Sequence, residues 1–400
     1  YGPKMKRNQV FQKIIEDLDF AIQWLPEAGS EEANRLNKDI ARHVKARFCL
    51  NEGTHYKYHD ELEYASEAEK WLQMAATESD KLITSGRYEI YNTGHPQEDY
   101  FNMYRIDDKS DLKEAVLYVD YKTNIREHNM AAAGREAGCG FSKSFVESFL
   151  CSDGLPISLS NKYLGDETMR KETANRDPRL KQLILTNDFP TNVTDDLKDS
   201  TFVVNEDEFI TQHCFTGYRP IKGFNPIYSQ ALYMKSSFDG IAYRYAETLL
   251  INAEAKAELN TITNADLDRT VNQLRDRVGM PHLTVNVGFT DPKWPDWGYS
   301  LSPVLQEIRR ERCIELAGEG FRFNDLKRWK AGKLLNNVLT YVGKRKPDGN
   351  LAIVYPNYTN PDLSYQAGKS RTWEDKMYLY PIPTGELQRN PQLLPQNPGW

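Results

Sequence analysis

One stretch of the sequence, Leu301–Leu335 (LSPVLQEIRRERCIELAGEGFRFNDLKRWKAGKLL), constrains the fold more than any other. Ser302 is a good N-cap and Pro303 a good first helical residue. Val304, Leu305 and Ile308 open an apolar stripe at helical spacing, which then runs into charge. Glu311, Arg312, Glu315 and Glu319 follow Ile308 at intervals that keep them near the same face. A carboxylate on a core-facing stripe costs several kcal/mol unless it is paired. Within the stretch, Arg309, Arg310, Arg322 and Arg328 are the available partners. Gly318 and Gly320 end the first helix, and Phe323, Leu326, Trp329 and Leu334 give a second one its apolar face. The expectation is a helix–turn–helix hairpin with ion pairs in its core.

Other helices follow from the same periodicity. Asn8–Trp24 is amphipathic and stops at Pro26, and Lys38–Leu50 is helical through Ile40, Val44 and Phe48. Ser66–Ile83 ends at Ser85-Gly86. Tyr243–Leu259 carries a small-residue stripe, Ala246, Leu249, Leu250, Ala253 and Ala257, and pairs with Ala265–Val278. Between Tyr88 and Gly240 the period changes. Ala115–Tyr121 alternates as a strand, Gly-rich Ala131–Gly140 is a loop, Ser142–Leu150 is a short helix and Gln182–Thr186 a further strand. The tail from Pro347 holds eight of the 20 prolines and is irregular. Tyr243–Pro281 and Pro303–Leu335 each approach the roughly 34-residue length of a tetratricopeptide hairpin, although that consensus is not legible. The expected fold is mainly α: tetratricopeptide-like hairpins from about 1–85 and 240–335, packed with a loop-and-short-strand region (86–239) and the Pro-rich part (336–400). Neither helical part alone has a full repeat array to bury its faces, which argues for one unit spanning 1–400.

Composition narrows the function. Hydrophobic residues at 40% with 27% charged are those of a globular protein, and a net charge of −6 disfavours nucleic acid. The five cysteines (Cys49, Cys139, Cys151, Cys214, Cys313) are odd in number and show no zinc spacing. No apolar run approaches the roughly 20 residues of a membrane helix. Tyr1 is not a natural start, so the absence of an export signal does not argue for the cytoplasm.

No catalytic centre is apparent. A glycosidase needs two carboxylates facing across a cleft, roughly 5–10 Å apart. Glu311, Glu315 and Glu319 lie on one helix among arginines, which lower carboxylate pKa values and spoil a general acid. Gly134–Ser144 lacks the spacing of a phosphate loop. His55 and His59 are four apart, but Gly53 is expected to break the helix before them and no third ligand follows, so exposed histidines are expected. Asp107, Asp108 and Asp111 lack the glycine and terminal Glu of a calcium loop. Neither G-x-S-x-G nor H-E-x-x-H occurs. No metal or other cofactor is called for.

Aromatics outside the helices are the remaining functional signal. A sugar ring offers an apolar face that Trp or Tyr can cover and a rim of hydroxyls that Asn, Arg, His or Asp can bond. One candidate set is Trp294, Trp297 and Tyr299 in the loop DPKWPDWGYS. The competing reading has these rings sealing the start of the following helix. A second set is Tyr121, Arg126, His128, Arg135 and Phe141, with Tyr163 in the polar segment beyond. For each of these a solvated loop role is the alternative.

Several of these strings also carry a family resemblance. Ile308-Arg309-Arg310-Glu311-Arg312, Glu319-Gly320-Phe321-Arg322 and Asp325-Leu326-Lys327-Arg328-Trp329 resemble the signature of the SusD/RagB family of glycan-binding outer-membrane lipoproteins. SFVESFLCSDGLPI, Asn175–Leu180, YRYAETLLINAEAKAEL and the closing Pro381-Ile382-Pro383, Asn390-Pro391 and Gln396-Asn397-Pro398-Gly399 are similar to further parts of it. The opening YGPKMKRNQVFQKIIEDLDFAIQWLP is similar to the point where the family's early helical repeats begin, which implies an N-terminal portion outside this sequence. The resemblance implies a SusD-like fold and a non-enzymatic, cofactor-free protein on the cell surface. Such a protein is held to the outer membrane only by a lipid anchor outside this chain. It captures oligosaccharide or polysaccharide for a SusC-like TonB-dependent transporter, in polysaccharide utilisation and nutrient uptake. The family's ligand residues come from loops outside the helical repeats and from the N-terminal portion. Two other classes stay open: a tetratricopeptide-type protein-binding scaffold with a helix-lined groove and no sugar site, and a glycoside hydrolase.

Overall fold

The computed structural model describes residues 2–30, 34–130, 140–186, 218–336 and 372–400. Three helices open the chain: α1 (Arg7–Trp24), α2 (Lys38–Tyr58) and α3 (Ala65–Thr84). The Asn37 side chain caps α2 by accepting the Asp39 and Ile40 amides at 3.0 and 3.1 Å. Helix α2 does not stop near Leu50. It continues through Gly53 because the glycine is a contact and not a breaker: a Cβ there would lie 2.9 Å from Leu72 Cγ of α3. Phe11 and Ile15 of α1 join Ala46, Cys49 and Leu50 of α2 and Trp71, Leu72, Ala75 and Ala76 of α3 in one core.

The middle of the chain supplies strand β1 (Ala115–Val119) and several short helices, among them α4 (Lys143–Ser148), capped by Ser142, and α5 (Arg179–Leu183). The expected strand at Gln182–Thr186 starts inside this helix and continues as irregular chain, with Ile184 contributing one bridge to Pro220. Strand β2 (Gly240–Arg244) pairs antiparallel with β1, Leu117 against Tyr243 and Val119 against Gly240. The next helix, α6 (Tyr245–Glu258), therefore starts after Tyr243 rather than at it.

Every residue of α6 except Lys256 is buried, which places it at the centre. Its Ile251 and Ala255 enter the α1–α3 core. Its stripe Ala246, Leu249, Leu250, Ala253 and Ala257 packs with Val304, Leu305 and Ile308 of the last hairpin. The helix expected over Ala265–Val278 is two pieces, α7 (Asn264–Asp268) and α8 (Val271–Arg277), broken where Thr270 leaves helical geometry. The last hairpin is α9 (Pro303–Glu315), capped by Ser302, and α10 (Arg322–Arg328). The two helical portions thus form one tetratricopeptide-like packing around α6, with a small two-stranded sheet beside it. The Gly-rich loop falls on 131–139, outside the described residues.

Candidate functional site

The acids of the last hairpin are structural. Glu311 and Glu315 lie on α9, and both are buried. Their partners are not the hairpin's own arginines. Glu311 meets Arg179 and, at 3.1 Å, Arg275. Glu315 meets Arg277 at 2.6 Å, Arg244 at 2.7 Å and Arg179 at 3.0 Å. Glu319 meets Arg244 and Lys222, each at 2.6 Å. Burial alone would raise the Glu315 pKa, but Arg277, Arg244 and Arg179 override it and hold the carboxyl well below the usual range. A carboxyl held that low stays ionised near neutral pH, which does not suit a general acid. The hairpin's Arg309 pairs instead with Glu258, Arg310 with Asp291, and Arg328 with Glu254 and Asp325.

His55 and His59 are also buried, stacked with ring centres 4.0 Å apart, which corrects the expectation of exposed rings. Among the described residues no cluster of three or more His, Cys, Asp or Glu could hold a metal ion.

The loop before α9 closes over that helix. Trp297 is buried, donates Nε1–H to Gln306 at 2.6 Å and sets its ring edge-on to Trp329, 5.4 Å away. Tyr299 donates its hydroxyl to the Trp329 carbonyl at 2.6 Å, accepts from Arg309 at 3.1 Å and stacks on Tyr58 at 4.4 Å. Trp294 is half-buried and donates to Glu307 at 2.7 Å. The polar atoms of all three rings are engaged by the protein itself.

The second candidate set converges only in part. Arg135 lies outside the described residues. Tyr163 is half-buried, with the Arg176 guanidinium 5.3 Å from its ring centre. Phe141 is half-buried, packs on Phe145 at 4.6 Å and lines a separate cleft. Tyr121, Arg126 and His128 do come together. The chain turns tightly at Lys122–Arg126, with Asn124 in the left-handed region, and Arg126 places its guanidinium 5.0 Å from the Tyr121 ring centre. His128 packs edge-on to Tyr121 at 4.4 Å. It donates Nε2–H to the Phe238 carbonyl at 2.8 Å and accepts the Met130 amide at Nδ1 at 3.0 Å, which assigns the tautomer. Burial lowers its pKa, so the ring is a neutral post rather than a charge.

That post clips two segments together. His128 and Ser236 exchange backbone hydrogen bonds at 2.9 and 3.1 Å, and Asn129 accepts the Met234 amide at 3.1 Å. The second segment then presents Tyr228 and Tyr233, 60% and 71% exposed, beside Leu232 and Met234. Ile125 on the facing turn is 78% exposed. The two joined segments form a platform that exposes these aromatic and apolar side chains together with Arg126, while the half-buried amides of Asn129 and Gln230 bond Met234 and Ser237. Sequence reasoning passed over Tyr228 and Tyr233. The only signal was two tyrosines in an aperiodic run, and nothing local tied that run to residues 121–130.

A scan for families matches the SusD family model to residues 76–400. The chain belongs to the SusD family. A curated relative, SusD-like protein P2 of Formosa agariphila, is 24% identical to this SusD-family chain over 410 residues, covering 99% of the chain and 66% of the relative. The chain therefore spans just under two-thirds of that relative's length. A solved SusD-like protein from Bacteroides fragilis superposes with a TM-score of 0.69 at 25% identity, covering 100% of this chain and 72% of the other. A second from the same species, described as a SusD-like carbohydrate binding protein, gives 0.66 at 20% identity over 98% and 72%; it shows the shared fold. Among the described residues of the SusD-family chain, no helix is long and apolar enough to cross a membrane.

Proposed function

We propose that this chain captures glycan through the platform formed by residues 121–130 and 228–237. The carrying observation is the exposure of Tyr228 and Tyr233 on a segment hydrogen-bonded to the one that holds Tyr121 and Arg126, on a SusD-family scaffold. Exposed rings cost the protein apolar hydration that a sugar face can relieve, and a guanidinium can bond hydroxyls. One solved structure that shares the fold is described as carbohydrate binding. Binding of this kind needs no cofactor and no reaction, in keeping with the ion-paired state of the hairpin acids.

Family membership supports the wider role: a cell-surface, lipid-anchored subunit of the outer membrane that hands oligosaccharide to a SusC-like TonB-dependent transporter. The test is affinity electrophoresis of the protein through gels containing soluble starch, laminarin, xylan, mannan or pectin. Retarded mobility in at least one gel, without release of reducing ends, is the expected result. Loss of retardation in Tyr233→Ala and Tyr228→Ala places the contact on the platform. Unretarded migration of the full-length protein in every gel would overturn the reading.

A further inference from the structure

Beside the platform, and sharing Met130 at its edge, runs a cleft of about 670 Å3. It passes between β2, the Gly318–Phe321 turn, the start of α10 and the Arg47–Asn51 face of α2. Its charged groups are already committed. Arg47 holds Glu247 through two nitrogens, Nε at 2.6 Å. Lys222 holds Glu319 at 2.6 Å, the Tyr100 hydroxyl at 2.7 Å and the Ala317 carbonyl at 2.8 Å. Asp325 takes Arg312 and Arg328, both at 2.9 Å, and Asp239 takes the amides of Lys109 and Tyr121 at 3.0 and 2.8 Å.

Two lining side chains differ. The amides of Asn51 and Asn324 make no hydrogen bond to any described residue, and Asn324 is exposed. They stand in the same lining as Phe48, 40% exposed, and Phe321, whose ring is held by the guanidiniums of Arg47 and Arg312 at 5.1 and 5.4 Å. Arg312 Nη1 has no hydrogen-bond partner among the described residues, but the atom is buried and is not offered to the cleft. Nothing lies within 4 Å of where a Cβ would sit on Gly320, so the turn leaves that wall open.

We infer that this cleft is a second carbohydrate subsite, distinct from the platform, that takes a neutral sugar unit. Cations already neutralised by buried carboxylates have little attraction left for a uronate or sulfate. Amides that both donate and accept, set beside an aromatic face, match hydroxyls and C–H surface instead. The volume lies within the range of small-molecule sites. The inference rests on the glycan-binding reading and names the chemistry of one of its sites.

The test is isothermal calorimetry with hexasaccharides of the malto-, laminari- and xylo- series, with hexagalacturonate as the anionic comparison. For a neutral hexasaccharide that binds, the wild type should show two sites. Tyr233→Ala should remove one. Asn51→Ala with Asn324→Ala should weaken the other beyond detection, while Asn324→Ala alone, an exposed position, weakens it roughly 3- to 10-fold. Thermal melts confirm that each variant is folded. A single wild-type site that Tyr233→Ala abolishes and the amide variants leave untouched overturns the subsite but not the platform. Hexagalacturonate bound at the amide-dependent site in preference to every neutral sugar overturns the neutral assignment. Absence of binding by any glycan overturns the subsite together with the reading beneath it.

Discussion

Arg244 Nη1 lies 2.7 Å from Glu315 Oε1, tying the end of β2 to the last turn of α9. Both side chains are almost wholly buried, and Glu315 also carries Arg277 and Arg179. Removing a shared buried anion takes a carboxylate from three buried guanidiniums at once, and the acids that remain, Glu311 on Arg179, Glu319 on Arg244 and Glu114 on Arg277, make up only part of it. Glu315→Ala should therefore cost roughly 3–5 kcal/mol of stability. Urea denaturation of variant and wild type measures it. Glycan binding of the fraction that remains folded should be unchanged, and a stable Glu315→Ala protein that had lost only glycan binding would put the acid in the ligand site.

Acid should destabilise the protein first through a histidine. His55 is buried and its pKa is pushed down to about 2, chiefly by burial and then by Arg7 and His59. In the unfolded chain it titrates near 6.5, so below that pH the unfolded state binds a proton the folded state refuses. Stability therefore falls as pH drops from 6.5, by on the order of 2 kcal/mol at pH 4.5. Glu315 works in a lower window: its folded pKa is depressed, so its contribution is complete above 4.5 and is lost only as pH falls through the much lower folded value. His55→Phe, which keeps a ring to stack on His59, should flatten the stability profile between pH 6.5 and 4.5. Thermal melts across that range check it; an unchanged slope would show that another group carries the loss.

Gly53→Ala reverses an ordinary expectation. In a helix interior this substitution usually stabilises by about 0.5–1 kcal/mol. Here the added Cβ would come within 2.9 Å of Leu72 Cγ and 3.0 Å of the Leu72 backbone nitrogen. The Leu72 side chain can rotate, but the backbone of α3 cannot yield without moving the α2–α3 contact. A loss of about 1–3 kcal/mol is expected, read as a lower urea midpoint at constant slope.

Gly53 also shows where the sequence ran out. The hairpin over Leu301–Leu335 was legible because caps, apolar spacing and glycine stops are local signals; they placed α9 and the start of α10, although α10 ends at Arg328, Leu334 lies in a separate short turn and Phe323 is 44% exposed. That its acids had to be paired was equally legible from their place on an apolar stripe. Their partners were not: Arg179, Arg244, Arg275 and Arg277 come from α5, β2 and α8, brought in by tertiary packing alone. Local rules likewise read Gly53 as a breaker, because the close approach of α3 leaves no trace near residue 53. The platform fared similarly. Tyr121, Arg126 and His128 stood out as chemistry-bearing residues in a loop, while the run that holds Tyr228 and Tyr233 is tied to that loop through long-range pairings such as His128–Ser236 and Asn129–Met234.

The two aromatic sets should respond to mutation in opposite ways. Trp297 is 5% exposed, bonds Gln306 and packs on Trp329, while the Arg309 guanidinium sits 4.8 Å from its ring. Trp297→Ala removes a large ring from a filled site and should cost about 3–5 kcal/mol. Tyr233, at 71% exposure, has little packing to lose, and Tyr233→Ala should stay within about 0.5 kcal/mol of wild type in urea. Its effect should appear instead in the glycan gels, where mobility returns toward that of the ligand-free lane. Measuring both variants by both methods separates the roles. A Trp297→Ala protein of normal stability that no longer bound glycan would move the ligand from the 228–237 platform to the loop before α9, and the roles assigned to the two sets would have to be exchanged.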